Sequence, residues 1–443
     1  MKIAPWLGIL LLASSALAQP PEIVDLGQFR VDTNITSFID SLARVEHDRG
    51  DGSFVVVWSS YSSLPGSFST DVLARRFTAE GNPLGDEILI NLETDEVQLQ
   101  PSLSPDPVSG FVVVWGELDP NLIQSLGVTA LRIDPAGQPI GAQIPVDTMP
   151  NEQTATSVSH TPDGGFLTVW EEGGNIDGSQ SGIRGRRYDA AGGAIGDEFQ
   201  VNAYTNGSQD RPRVRYGPDG TAVVVWHGAA DGVNTAVQAR LLDASGVPQG
   251  TDIPVSDAPT ATSNAADVSF SSDGGFAVVW NSSNGPAETN GILVRRFNAA
   301  GQPLGEPFRV DQSDDGPQLP RILHGPNDSF LVAWHAVDAD DFTEADVLAR
   351  LYDSLGQPIG DAFRVNDAEL GRHRAPCLSF GPDGQLVVVW LEDLTLNSTG
   401  IFAKRYQVDV APPAPVVEVP TLGHLGIALL ALLLATFGVR RLT

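Results

Sequence analysis

Short apolar runs ending in tryptophan recur along the chain, as in Phe54-Val-Val-Val-Trp58, Phe111-Val-Val-Val-Trp115, Phe276-Ala-Val-Val-Trp280 and Phe330-Leu-Val-Ala-Trp334. Odd and even positions of these runs are equally hydrophobic. A strand with one wet face alternates, so each run is predicted to be a strand packed between layers on both sides. Three further strand signals surround each run in constant order. In the fifth unit they are Ala266–Phe270 before the turn Ser272-Asp273-Gly274-Gly275, then Ile292–Phe297 before the turn Asn298–Gly305, then Pro307–Val310. Valine- and aromatic-rich runs bounded by Gly, Asp, Asn and Pro are hairpin signatures.

The tryptophans Trp58, Trp115, Trp170, Trp226, Trp280, Trp334 and Trp390 are separated by 57, 55, 56, 54, 54 and 56 residues. A period of this size marks one supersecondary unit used repeatedly. Four-stranded antiparallel sheets packed face to face around an axis supply the two-sided burial. The predicted fold is therefore all-β, a seven-bladed β-propeller over residues 22–409. A row of independent sandwiches is the competitor, but those need roughly 100 residues each. The seventh unit lacks its fourth strand. Asp25-Leu-Gly-Gln-Phe29-Arg-Val31-Asp32 matches Glu306-Pro-Phe308-Arg-Val310-Asp311 at the other end of a unit. The N-terminal strand is thus expected to complete the last blade, with the Phe-Arg-Val strand outermost, and so to hide an open edge.

The two ends read as addresses. Residues 1–18 carry Lys2, an apolar stretch and Ala16-Leu-Ala18, the pattern of a secretory signal peptide cleaved after Ala18. A Pro-rich linker (410–419) leads to Pro420-Thr421-Leu422, Gly426, the apolar stretch Ile427–Val439 and Arg440-Arg441. That stretch is short for a permanent span, and its trailing arginines favour a cytoplasmic terminus. The tail resembles the proteobacterial IPTL-CTERM sorting signal, with Val419 in place of isoleucine and Leu425 in place of the usual tryptophan. The resemblance implies an exosortase-type sorting enzyme as partner. It also implies a transient inner-membrane anchor through a short C-terminal helix (420–443), and delivery to the cell surface or matrix. A plain membrane anchor is the alternative. The repeat resembles Gly-Gly-Phe-Val-Val-Val-Trp … Ala-Arg-Arg-Phe-Asp … Gly-x-Pro-x-Gly units of large bacterial surface proteins, a likeness that implies a propeller-like module and no defined activity.

Charge changes the picture next. With 55 acidic and 26 basic residues the net charge is −29, which disfavours nucleic acid and anionic lipid and favours a soluble monomer. The single cysteine, Cys377, excludes an internal disulfide and reads as a buried thiol in a first strand. Basic residues concentrate in the third strand of each unit: Arg75, Arg76, Arg132, Arg186, Arg187, Arg240, Arg295, Arg296, Arg350, Lys404 and Arg405. They are read as structural, paired with acidic neighbours, rather than as a polyanion stripe.

Loops after the second strand are long and differ between units, so a site is expected on the face they share, around the axis. That face is acidic. Asp338, Asp340, Asp341 and Glu344 have the oxygen density that Ca2+ uses, without the spacing of an EF-hand loop. Glu117, Glu172 and Glu392 each follow a unit tryptophan by two residues and are candidates to converge on a cation or on sugar hydroxyls. His227 and His335 follow tryptophans directly and are read as exposed ligand contacts. His47, His160 and His324 share a position held by Tyr216, Phe270 and Phe380 elsewhere, an aromatic packing slot. No nucleophile elbow, His-Glu-x-x-His motif or phosphate loop is present. The expected function is a surface binding or matrix-interaction module for extracellular polysaccharide or another surface protein, not an enzyme. A carbohydrate-active enzyme using loop carboxylates and a purely structural matrix component are the alternatives.

Overall fold

The computed structural model describes residues 22–33, 41–48, 50–61, 69–92, 96–107, 110–119, 121, 125–147, 153–174, 180–228, 236–256, 262–283, 290–312, 316–337, 344–367, 371–395 and 398–409. These lie in one compact unit, Pro20–Val410. The expected cleavage site, linker and C-terminal helix fall outside the described residues. Among those described there is no α-helix, and no helix long and apolar enough to cross a membrane.

The architecture is propeller-like. Five antiparallel sheets have four strands, and a sixth of eight divides into two such units joined by a single parallel bridge from Thr70 to Val97. Within each unit the strands lie side by side in chain order, except that the last sheet takes its fourth strand from Glu22–Arg30. The first strands are Ser41–His47, Val97–Pro105, Gln153–His160, Gln209–Tyr216, Thr262–Phe270, Gly316–His324 and His373–Phe380. The second strands are buried on both faces, as their sequence requires: every residue of Ala222–Gly228 and Phe330–Val337 is buried. Each unit tryptophan is at most 1% exposed. Each also sits in its own apolar cluster drawn from two neighbouring sheets, as Trp280 does with Val223 and Val225 of the preceding one. The core is therefore a series of inter-sheet layers, each anchored by one large aromatic side chain.

The two chain ends meet. Glu22–Arg30 pairs antiparallel with Ser398–Asp409, from Glu22 opposite Asp409 to Arg30 opposite Phe402. The Asp32 carboxylate accepts from the Ile401 amide at 2.7 Å. On the opposite edge of that sheet, the His47 amide donates to Ser379 Oγ at 2.9 Å.

The Asp32 contact is one instance of a repeated device. The side chain just past the fourth strand accepts from the start of the third: Asn91 from Val72, Asn202 from Ile183, Asp311 from Ile292 and Asn366 from Val347. Gly291 makes room for it. At φ +110° its Cβ would stand 2.4 Å from the Asp311 carboxylate.

The third-strand arginines are structural, but most of their partners are backbone carbonyls rather than the expected carboxylates. Arg240 donates to the Val201 carbonyl at 2.7 Å, Arg295 to Val255 at 3.0 Å and Arg350 to Val310 at 3.3 Å, each on the preceding unit. Arg295 and Arg350 also lie over the rings of Phe297 and Tyr352. Arg296 reaches forward to the Ser354 carbonyl at 2.7 Å, and Arg405 reaches Glu80 O. A planar fork of donors suits turn carbonyls as well as carboxylates. Two of these basic residues keep acidic partners: Arg186 lies 3.9 Å from Glu198, and Lys404 pairs with Asp25 at 2.7 Å and Asp367 at 2.5 Å.

Candidate functional site

Every first strand carries a bulge near its start. The register slips between Ser41 and Arg44, Leu99 and Ser102, Asp210 and Arg213, Gln318 and Arg321, and likewise in the other three. One residue in each slip is left-handed: Leu42, Gln100, Ala155, Arg211, Ala265, Leu319 and Ala375, with φ from 38° to 55°. They are seven of the nine described non-glycine residues with positive φ, so the strain belongs to this ring of positions. Such a backbone costs about 1–2 kcal/mol per residue, and bulges re-aim the side chains that follow.

Two residues past each bulge stand Arg44, Ser102, Ser157, Arg213, Asp267, Arg321 and Cys377. All seven line one narrow axial cavity of about 40 Å³. Three of them link neighbouring first strands: Ser102 accepts from the Val158 amide, Ser157 from Val214 and Asp267 from Ile322, each at 3.2 Å. The arginines cannot accept. Arg44 donates to the Ala43 carbonyl at 3.1 Å, Arg213 to Pro212 at 3.4 Å and Arg321 to Pro320 at 3.1 Å. A fourth guanidinium, Arg215, pairs across the cavity with Glu46 at 3.0 Å, joining the fourth unit to the first. Four guanidiniums thus face two carboxylates, Glu46 and Asp267, an excess of positive charge.

The electrostatics follow from that crowding. Burial, then the Arg321 charge, pulls Arg44 down to about 10. Burial, then Arg44 and Arg321, holds Arg213 well below the usual guanidinium value. Burial also pulls on Arg215, but Glu46 and Asp267 outweigh it and leave it raised. Above the narrow part the cavity widens to a mouth of about 540 Å³ framed by the bulge residues, with Glu171, Asp210 and Arg211 at the rim and Arg213 and Arg321 as floor. The mouth lies at the end where second strands finish and first strands begin, the face expected from loop variability.

The sequence-based candidates fall elsewhere. Two residues along a strand return to the same face, so the glutamates stay beside their tryptophans against neighbouring sheets. Glu117 accepts from Trp115 Nε1 at 3.0 Å, Glu172 pairs with Arg184 at 3.1 Å, and Glu392 lies 3.5 Å from His373. Burial lowers His373, but the hydrogen bonds its ring donates to Glu392 and the Ala345 carbonyl outweigh it and raise its pKa. His227 and His335 are not exposed: they are 3% and 4% accessible. His227 Nε2 accepts from the Ala266 amide at 2.9 Å while Nδ1 faces Asp210 at 3.3 Å, which makes it a strut under the mouth. Asp338, Asp340 and Asp341 lie outside the described residues. Glu344 accepts from the Gly371 amide at 2.6 Å, and among the described residues no three acidic or histidine side chains form a metal cluster. The aromatic slot is as expected: His47, His160 and His324 pack on Phe54, Phe166 and Phe330 at 5.4–5.8 Å between ring centres. Cys377 is a buried free thiol.

The arginines of the axial cavity were missed, although the repeat carries a signal for them. Arg213 precedes Trp226, and Arg321 precedes Trp334, by the thirteen residues that separate Ser102 from Trp115 and Cys377 from Trp390.

Comparison with known proteins bears on the address and the fold. Residues 419–442 match the IPTL-CTERM motif, which marks an exported, surface-sorted protein and implies processing by an exosortase-type enzyme. No curated protein sequence matches the chain. A protein of unknown function from Dyadobacter fermentans shares the fold at a TM-score of 0.56 and 11% identity, over 87% of this chain and 99% of that one. The intramolecular trans-sialidase of Ruminococcus gnavus, solved with oseltamivir carboxylate, superposes at 0.47 with 8% identity over 88% and 99% of the two chains. The α-L-arabinofuranosidase Arb93A of Fusarium graminearum superposes at 0.44 with 12% identity over 88% and 97%.

Proposed function

We propose that this protein is a surface-sorted seven-bladed propeller, closed by the strand Glu22–Arg30, that binds an extracellular polysaccharide or surface protein at its axial mouth without turning it over. The tryptophan layers and the pairing of Glu22–Arg30 with Ser398–Asp409 support the blade count and the closure. The binding reading is carried by the mouth: about 540 Å³, polar at its rim and framed by first strands of separate units. Concave sites with a few convergent polar groups on a rigid scaffold are where ligands bind. The segment 420–443 would hold the exported chain at the inner membrane until the sorting enzyme acts.

The test is retention of the full chain, in mild detergent, on purified exopolysaccharide of the producing cell, with Ca2+ or EDTA, together with an assay for new reducing ends. Retention without new ends supports the reading, and EDTA sensitivity would bring in the loop from Asp338 to Glu344. New reducing ends lost in Glu171→Gln or Asp210→Asn would replace it with an enzyme.

A further inference from the structure

The axial cavity holds more positive charge than its two carboxylates, Glu46 and Asp267, can neutralise. Each guanidinium carries five N–H donors, yet Arg44, Arg213 and Arg321 each make a single hydrogen bond, to the carbonyl of the preceding residue. Arg321 is only 7% exposed, and bulk water does little for it. Serine, aspartate and cysteine hold the same position in the other units, so the repeat does not require arginine there. The arginines repel one another, and burial together with that repulsion depresses Arg44 and Arg213. The chain as a whole is an anion, with net charge −29.

We infer that the axial cavity is an oxyanion site, in which Arg44, Arg213 and Arg321 take up one carboxylate, sulfate or phosphate head that enters through the mouth. Planar guanidinium forks match such heads in geometry as well as charge. The space of about 40 Å³ holds about three waters by this measure, which suits an ionic head and is too narrow for a sugar ring. The wide mouth above it has room for what the head is attached to. Resting on the binding reading, this makes the ligand's recognised group acidic, such as a uronate or sulfated sugar at the tip of a polymer. A free inorganic anion would satisfy the same chemistry. The acidic surface would then act as a filter, turning away extended polyanions and admitting a single charged tip.

The experiment is thermal melting of the full chain in mild detergent, with acetate, glucuronate, sulfate or phosphate titrated against chloride at matched ionic strength. The wild type should show a saturable rise in midpoint of about 2–4 °C. Arg213→Met and Arg321→Met should lose the saturable part and keep only the general salting effect. If either variant fails to fold, Arg44→Lys retains the charge, loses the fork and should weaken the response about tenfold. Slower Cys377 labelling by a small thiol reagent in the presence of the anion gives a second readout at the cavity wall. No saturable response in the wild type, or an equal one in the methionine variants, overturns the site. The two readings separate cleanly. An anion response with no retention on any polymer keeps the site and sinks the binding module. Retention indifferent to Arg213→Met and to competing glucuronate keeps the module and sinks the site. Response to glucuronate but not to sulfate or phosphate assigns the head to a sugar acid.

Discussion

Arginine occupies two columns of this repeat and meets opposite surroundings. In the third strands Arg240, Arg295 and Arg350 each donate to a carbonyl of the preceding unit, and Arg295 and Arg350 also cover an aromatic ring. In the first strands Arg44, Arg213 and Arg321 crowd one cavity with a single local hydrogen bond apiece. The first group recurs in unit after unit because each inter-sheet layer poses the same problem: a buried carbonyl that needs a donor. The second appears in three units where the others carry small or acidic residues. Regularity in a repeat protein reports stability, and departure from it at a shared position reports something the scaffold alone does not need. Four experiments probe that contrast.

The largest effect should come from acid, through groups of the regular shell. Burial, then the Arg405 charge, lowers His47 to about 4. Burial lowers His324 to about 4, and burial with Arg374 and Arg372 lowers His335 to about 4. Their nitrogens Nε2 of His47 and Nδ1 of His324 and His335 have no hydrogen-bond partner. The unfolded chain therefore binds protons before the fold does. Stability is full above about pH 6.5 and is lost as pH falls toward 4, by on the order of 3 kcal/mol per histidine. His373, whose pKa is raised, runs the other way and tempers the loss: its contribution is present at low pH and fades as pH rises. Urea midpoints between pH 7.5 and 4 should drop steeply. His47→Phe with His324→Phe, which copies Phe270 and Phe380, should flatten the curve. An unchanged slope in that double variant would locate acid sensitivity elsewhere.

Next is the direct contrast. Arg295→Met strands the buried Val255 carbonyl and uncovers Phe297, at a cost of about 2–4 kcal/mol. Arg213→Met should cost under about 1 kcal/mol, or stabilise, since a partly buried charge repelled by Arg44 and Arg321 is replaced by packing. Equal losses at both sites would mean that the axial arginines are structural too.

This contrast also shows what the sequence could reveal. The layers were legible because each Phe-Val-Val-Val-Trp run states two-sided burial outright, and Asp25–Asp32 repeats Glu306–Asp311 closely enough to foretell the pairing with Ser398–Asp409. The axial arginines were not, for a physical reason. Their strands look like ordinary alternating segments, and only a bulge at Leu42, Arg211 or Leu319 turns the next residues toward the axis. Leucine and arginine give no sign of a left-handed backbone, as glycine would. Glu117, Glu172 and Glu392 misled in the opposite sense. A fixed distance from tryptophan put them on the tryptophan's own face, against a sheet. His227 looked like a loop residue at a strand end and is a buried strut.

A smaller effect tests the closure. Asp32 does for the last unit what Asn202 and Asn366 do for others, with an added ion pair to Arg30 at 2.6 Å. Asp32→Ala leaves the buried Ile401 amide without its acceptor and should lower stability by about 1–3 kcal/mol. Asp32→Asn, which keeps an oxygen, should lose about 1 kcal/mol or less, the worth of a partly exposed ion pair. Amide exchange at Ile401 would report the difference. Equal protection in both variants would mean that the Glu22–Arg30 strand holds without this contact.

The smallest effect is at Cys377, where the axial position carries neither charge nor a strong acceptor. Its counterpart Ser102 accepts from the Val158 amide, and the equivalent amide beside position 377 belongs to Val45. Cys377→Ser changes little in volume and supplies the missing oxygen. The gain of a weak buried hydrogen bond and the cost of burying a hydroxyl nearly cancel. The expected change in urea midpoint is within about 1 kcal/mol of zero, with slower exchange of the Val45 amide. A large loss would show that this wall of the cavity needs its thiol, and that the irregular positions around the axis, not only the arginines, are set for something other than holding adjacent strands together.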